Sequence, residues 1–472
     1  MEPRHYQERA LEALAEHDNT GLLALGLGVG KTAVGTWAAM QAGAKTVLVV
    51  APLRTVDGWR RHVEDLAGVP LRVLGSNKAG KENMSAMLSG EPGWYWTTWE
   101  YMVSQNKEKR WDGRKKREVF KPVVHPYKGT VFDMLIADEV HRASNHGTLS
   151  FGVLSRIKAE HRLALSATPA GNRPVNIWSS LKFLWPTRYR GYWDFAATYF
   201  REEYDPFTDF GKKYTDEQRP GTVRRAAPCW IEVTAEEANP EMPEVVVEHV
   251  PVQLSREQRR MYDQWEQESL AWLDANPVAI GLPVTLELRL RQVTLGAVSV
   301  EVEHTKDEDG NPIDVDHIYF KEDCKSSKID TLLDMLSDMP EGEPVIVWCP
   351  SQRFMLPLLH RLDKAGYTAI EVSGKSKGDY HDLIAGDAQV LCAVPEAMAE
   401  GVDGLQSVCH TEVWLGMSTN LIINEQATGR LHRTGQTQAV KRYLIQADDT
   451  IDSKVVGRLN DNYNRLKASG LI

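Results

Sequence analysis

The chain has 472 residues, 42% hydrophobic and 25% charged, with a formal net charge of −10. That length is too great for one hydrophobic core, so two or three domains are expected, and no run of about 18 apolar residues is present to span a membrane. Five cysteines without CxxC spacing (Cys229, Cys324, Cys349, Cys392, Cys409) argue against a zinc ribbon or disulfide framework and fit a reducing cytoplasm.

The N-terminus, MEPRHYQERALEAL, is charged and lacks the apolar stretch of a signal peptide. Residues 5–17 read as an amphipathic helix and Gly21–Leu25 as a short apolar strand. A helix over Thr32–Gln41 follows. Thr46–Ala51 (TVLVVA) is a β-branched run of the kind buried on both faces of a parallel sheet. Val131–Ala137 and Arg162–Ser166 are two further strands, each ending at a polar motif. Open α/β sheets place ligand sites at such carboxyl ends. From about 175 to 300 the texture turns aromatic and helical, with a long helix over 255–275 opened by Ser255 as N-cap with Gln258 three residues on. Glu303–Asp316 reads as a hairpin or loop. A second α/β pattern begins near 325, with strands at Pro344–Cys349, Thr368–Val372 and Ala388–Val394 and a helix over Phe354–Gly366. The expected organisation is α/β throughout: a first lobe over 1–175, a helical insertion and linker over 176–320, and a second lobe over 321–472.

Two distant motifs carry the chemistry. Gly26-Leu27-Gly28-Val29-Gly30-Lys31-Thr32 lies between an apolar strand and a helix. Gly28 and Gly30 let backbone N–H groups converge on a phosphate, Lys31 adds positive charge, and Thr32 offers a hydroxyl to Mg²⁺. Asp138-Glu139-Val140-His141 closes the strand VFDMLIA. There Asp138 can hold Mg²⁺ through water and Glu139 can orient an attacking water. Ser166-Ala167-Thr168-Pro169 ends the next strand. Taken alone it reads as an ordinary strand exit, although its hydroxyls could sense a γ-phosphate. Near the C-terminus, Arg430 and Arg433 are expected on one face of a helix INEQATGRLHR, where one can act as an arginine finger. Between these motifs lies a basic stretch, Lys107 to Arg117, with Lys109, Arg110, Trp111, Arg114, Lys115, Lys116 and Arg117 as candidate DNA contacts. Its charge fits a grip on phosphates or on a single-stranded base, and equally fits a solvated loop. The acidic net charge decides nothing here, because a local basic track suffices.

In this order the motifs resemble those of a superfamily-2 helicase. RHYQ (Arg4 to Gln7) resembles the upstream glutamine motif, which implies adenine reading by Gln7. GLGVGKT, DEVH, SATP and QATGRLHRTGQ resemble motifs I, II, III and VI. APL with Trp59, TTWE (Thr97 to Glu100) and EGVDGLQ (Glu400 to Gln406) resemble motifs Ia, Ib and V. The segments VQLSREQRRMY, LELRLRQVT and CKSSKIDTLLDML are similar to the Swi/Snf-like DNA translocase branch, as in a compact phage or bacterial member. Val140 departs from the usual Ala, and Met398 with Ala399 from the usual glycines.

The resemblance implies two RecA-like lobes and ATP with Mg²⁺ as cofactors. It implies catalysis by Lys31, Asp138, Glu139, Arg430 and Arg433, with coupling through His141, Ser166, Thr168 and Gln426. The implied partner is double-stranded DNA, tracked by a cytoplasmic monomer, with possible protein partners from a repair, replication or restriction system and no membrane. A strand-separating DNA or RNA helicase shares every catalytic motif. A nucleotide-gated DNA-binding or recruitment module with vestigial hydrolysis is the reading from another class.

Overall fold

The computed structural model describes residues 2–26, 28–105, 107–112, 117–122, 127, 129–204, 212–275, 284–306, 312–374, 379–398 and 402–470. The chain divides into two compact units, Met1–Glu241 with Asp461–Ile472, and Met242–Asn460. Each is built on a parallel sheet, so the α/β class with two parallel-sheet units is the observed architecture.

The first unit holds seven parallel strands in the order Trp230–Val233, Gly21–Leu25, Lys158–Leu165, Val131–Asp138, Thr46–Ala51, Gly93–Thr98, Leu71–Val73. The fully apolar strand sits inside the sheet. Val47 to Ala51 are all 0% exposed, pinned in register between Thr46–Ala51's two neighbours. Such burial contributes about 1.5–3 kcal/mol for each large aliphatic side chain. Because every strand runs the same way, the phosphate loop after Leu25, the acidic pair after Ala137 and the serine after Leu165 leave the sheet at one end. An antiparallel ribbon, Lys107–Asp112 with Arg117–Pro122, is inserted before Val131.

The second unit holds six parallel strands in the order Val245–Val252, Val440–Ala447, Thr411–Trp414, Val345–Trp348, Val390–Ala393, Ala369–Val372. Its core stacks Trp348 on Trp414 at 5.3 Å between centroids, and the Trp348 indole N–H donates to the buried Glu412 at 2.7 Å. Beside it, fully buried Lys328 donates to the Leu415 carbonyl and to Asp452 Oδ2, both at 2.6 Å. Asp452 also accepts from Thr294 Oγ1 at 3.0 Å and from the Ala447 N–H at 3.1 Å. Around the expected hairpin or loop of 303–316, Ser299–Lys306 pairs antiparallel with Pro312–Tyr319, and 307–311 lie outside the described residues.

The stretch 176–320 is shared between the units. Its helices Ile177–Leu184 and Tyr192–Tyr199 belong to the first unit, Trp230–Val233 is an edge strand of the first sheet, and Val245–Val252 is an edge strand of the second. Among the described residues no helix is long and apolar enough to cross a membrane.

Candidate active site

The phosphate loop is shaped by backbone and by one glutamine. Gly28 and Gly30 sit at φ +74 and +85, and Gly30 caps the helix Lys31–Gln41. A Cβ at Gly30 would lie 2.6 Å from Gln7 Nε2, so only glycine fits. Gln7, 6% exposed, donates to the Val29 carbonyl at 3.2 Å, while its Oε1 accepts the Arg4 N–H at 2.9 Å. Tyr6 Oη donates to the same Val29 carbonyl at 3.2 Å. The first helix is thereby tied to the loop. Lys31 Nζ rests on the Leu25 carbonyl at 3.2 Å and the Gly26 carbonyl at 3.5 Å, with Glu139 Oε1 at 3.9 Å.

Asp138 ends its strand buried. Its Oδ2 accepts the Trp59 indole N–H at 2.9 Å and its Oδ1 the Glu139 N–H at 3.0 Å, while its carbonyl accepts the Trp99 indole N–H at 3.0 Å. Trp59 reaches this position because Gly35, on the phosphate-loop helix, leaves room; a Cβ there would lie 3.0 Å from the indole. Burial pushes the Asp138 carboxyl up, and the neighbouring Glu139 charge pushes it further. Glu139 is also buried, which alone would raise it. The Lys31 ammonium and the bonds from His141 and Ser166 outweigh that and hold it below the usual carboxylate range. Its backbone is left-handed, at φ 51 and ψ 53, a conformation non-glycine residues seldom adopt.

His141 Nδ1 lies 3.0 Å from Ser166 Oγ and 3.1 Å from Glu139 Oε2. Ser166 Oγ donates to Glu139 Oε2 at 3.3 Å and accepts the Thr168 N–H at 3.1 Å. Seven of the expected residues (Gln7, Gly30, Lys31, Glu139, His141, Ser166 and Thr168) are thus joined to the loop or to the carboxylate pair. Thr32 is the second residue of the loop helix. The Asp138 carboxylate and the Thr32 hydroxyl are hard oxygen donors of the kind Mg²⁺ takes, and a divalent charge would counter the burial and repulsion that raise Asp138. The residues present fit that ion.

The second unit corrects one expectation. Arg430 and Arg433 do not lie on a helix, because the helix Leu421–Thr428 ends at Gly429. The chain continues in tight turns through Arg433, with Leu431 completely buried. The two guanidiniums still converge. Arg430 Nη1 donates to the Val402 carbonyl at 2.7 Å and Arg433 Nη1 to the same oxygen at 3.1 Å, with Asp403 Oδ1 3.4 Å from Arg433. Gln426 is buried on the preceding helix, and Gln436 donates to the Cys409 carbonyl at 3.0 Å.

Two partners escaped sequence reasoning. Trp59 as holder of Asp138 had one signal, a tryptophan on a helix that packs in the core, whose N–H needs an acceptor. The Val402 carbonyl had none. Of the basic candidates, Lys109 sits on the first ribbon strand with its ammonium 5.9 Å from the Phe120 ring centroid. Arg110, Trp111 and Arg117 take ribbon register positions opposite Val119, Glu118 and Asp112. Arg114, Lys115 and Lys116 lie outside the described residues.

The glycine loop and the buried carboxylate pair leave the first parallel sheet at one end, and the second unit is also built on a parallel sheet. The family model described as the SNF2-related domain matches residues 6–293, more than half of the chain, and the chain belongs to that family, in the Swi/Snf-like branch of the superfamily-2 helicases. Over 98% of its length it is 22% identical to an uncharacterized ATP-dependent helicase of Mycoplasma genitalium, of which it spans 42%. It is 23% identical over 98% of its length to the uncharacterized ATP-dependent helicase YqhH of Bacillus subtilis, spanning 81% of it. Over 87% of its length it is 22% identical to Protein CHROMATIN REMODELING 24 of Arabidopsis thaliana, spanning 40%. The chain therefore spans about two fifths of the Mycoplasma and Arabidopsis relatives. The solved SWI2/SNF2 ATPase core of Sulfolobus solfataricus in complex with dsDNA is 17% identical, with a TM-score of 0.41, covering 100% of this chain and 94% of that one.

Proposed function

We propose that this chain is an ATP-dependent DNA translocase that hydrolyses ATP to move along double-stranded DNA. The observation that carries the proposal is the convergence of Lys31, Asp138 and Glu139 at one end of the first sheet, with Lys31 Nζ 3.9 Å from Glu139 Oε1. Backbone N–H groups of the loop and Lys31 bind the phosphates. Thr32 and Asp138 would hold Mg²⁺, which supplies neutralising charge for phosphoryl transfer.

Glu139 accepts the proton of the attacking water. Its low proton affinity comes in part from Lys31. When the lysine turns to the phosphates, that restraint weakens and Glu139 becomes the stronger base. His141 and Ser166 keep its carboxylate aimed. Arg430 and Arg433 supply positive charge to the transferring phosphoryl group, with Arg433 the first choice as finger. Family membership and the relatives named as helicases support DNA as the track.

The test is steady-state ATP hydrolysis with no nucleic acid, duplex DNA, single-stranded DNA and RNA, with Glu139→Gln as the blank. Stimulation by duplex DNA is expected. Preference for single strands or RNA would instead mark a strand-separating helicase. Hydrolysis that none of them stimulates would refute the motor.

A further inference from the structure

A narrow cleft in the second unit contributes no residue to the proposed hydrolysis. Its walls come from the helix Val284–Leu295, the ends of the strands Thr411–Trp414 and Val440–Ala447, and the first turns of the helix Ile451–Ala468. Carboxyl ends of strands in an open parallel sheet are where ligand sites form. Leu295, Pro350, Leu444, Ile445, Val455 and Val456 make most of the lining apolar. The enclosed part measures about 30 Å³, room for about two water-sized atoms, within about 420 Å³ of space that includes open solvent.

Two donors border this cleft without the acceptors their chemistry calls for. Arg291 is half-buried, and among the described residues its one hydrogen bond runs from Nη2 to the Met417 carbonyl at 2.6 Å, with no carboxylate in ion-pair contact. A guanidinium has more donors than that to satisfy. Burial pushes its pKa down. The carboxylates near enough to oppose this are committed elsewhere: Glu287 to Arg458 at 2.5 and 3.0 Å, Asp452 to Lys328 and Thr294, and Glu396 to the Ser418 hydroxyl at 2.7 Å. Trp414, 1% exposed, borders the same cleft, and its indole N–H has no acceptor. Its neighbour Trp348 shows the contrast, since that indole donates to Glu412. Buried N–H groups are costly to leave bare. Two bare donors beside one apolar cleft describe a site for an anion.

We propose that this cleft binds a small organic acid, its carboxylate on the Arg291 guanidinium and the Trp414 N–H, its short apolar tail against the aliphatic walls. A carboxylate matches the space, because its two oxygens lie in one plane and take parallel N–H bonds from a guanidinium fork. A phosphate carries more oxygens and would need more donors than an apolar cleft supplies. Asp452 is the one carboxylate among the lining residues, and Lys328 neutralises it at 2.6 Å, so that side chain does not repel the acid. Bound there, the acid ties the helix Val284–Leu295 to the end of the strand Thr411–Trp414.

The test is a ligand-observed NMR titration of the full chain with isovalerate, with isovaleramide as the neutral analogue and inorganic phosphate and a short DNA duplex as competitors. The wild type should bind the acid saturably and the amide at least about tenfold more weakly, since the amide lacks the charge-assisted bonds. Arg291→Gln should weaken the acid at least about tenfold, and Arg291→Lys should recover part of the loss, because an ammonium keeps the charge without the planar fork. Trp414→Phe deletes the N–H and keeps a ring. It should weaken the acid about three- to tenfold while leaving the urea midpoint of the ligand-free chain unchanged or higher, because the deleted group has no partner to lose. No saturable binding of the acid, equal affinity for acid and amide, or binding that survives both Arg291→Gln and Trp414→Phe would each overturn the site. Displacement of the acid by phosphate or duplex DNA at lower concentration would show the anion to be a phosphate and overturn the carboxylate assignment.

Discussion

Each unit buries a lysine against a carboxylate, and the two pairs are built differently. Lys328 is 0% exposed and meets Asp452 and the Leu415 carbonyl at 2.6 Å each, while Asp452 takes two further donors. Lys31 is 12% exposed, rests on carbonyls at 3.2 and 3.5 Å, and stands 3.9 Å from a carboxylate already served by His141 and Ser166. The first pair is closed and tight, as structural pairs are. The second is loose and reachable, so its lysine can leave without stranding its partner. Burial of a charge does not distinguish structure from function; the tightness of its satisfaction does.

Substitutions sharpen or break this contrast. Glu139→Gln should have the largest effect, slowing DNA-stimulated hydrolysis by about 10²–10⁴-fold while ATP still binds, as read by single-turnover assay and nucleotide fluorescence. Lys328→Ala should cost about 3–5 kcal/mol in urea unfolding, because it removes the charge partner of the mostly enclosed Asp452 and the donor to the Leu415 carbonyl and leaves a cavity in the core. Combining Lys328→Met with Asp452→Leu should restore most of that stability; a double variant as unstable as the single one would show that the charge is needed for more than pairing.

Lys31→Ala should lower stimulated hydrolysis by about 10²–10³-fold. Its unfolding free energy should move by less than about 1 kcal/mol, since the pair it breaks is long at 3.9 Å and Glu139 keeps its contacts with His141 and Ser166. A loss matching that of Lys328→Ala would break the comparison. Gln7→Ala should be mildest, raising KM for ATP by about three- to tenfold through loss of one hydrogen bond to the loop, with kcat little changed.

How much of this was legible in the sequence depended on whether the signal was local. Gly21–Leu25 and Thr46–Ala51 have the bounds their apolar runs indicate, because a strand buried on both faces leaves an unbroken hydrophobic record. The catalytic loop and acidic pair were legible for a related reason, since phosphate binding demands particular residues at fixed spacing. Sheet membership was not. Nothing local says that Trp230–Val233 joins one sheet and Val245–Val252, a dozen residues later, joins the other. The strand Gly93–Thr98 was legible in principle, because its Trp, Tyr and Thr residues favour strands. The arginine segment misled because its spacing permits a helix, whereas the helix stops at Thr428 with Gly429, a poor helix former, as its cap.

The left-handed backbone of Glu139 has a consequence for how such chains change over generations. An L-residue with a long side chain is held there at a cost of about 1–2 kcal/mol, and glycine or asparagine would relieve it. Selection for turnover keeps the carboxylate against that steady pressure. In a lineage that no longer needs hydrolysis, this position should be among the first to drift, and toward residues that make the fold more stable. A glycine or asparagine here would therefore mark a fossil motor, still folded and more robust than its working ancestor.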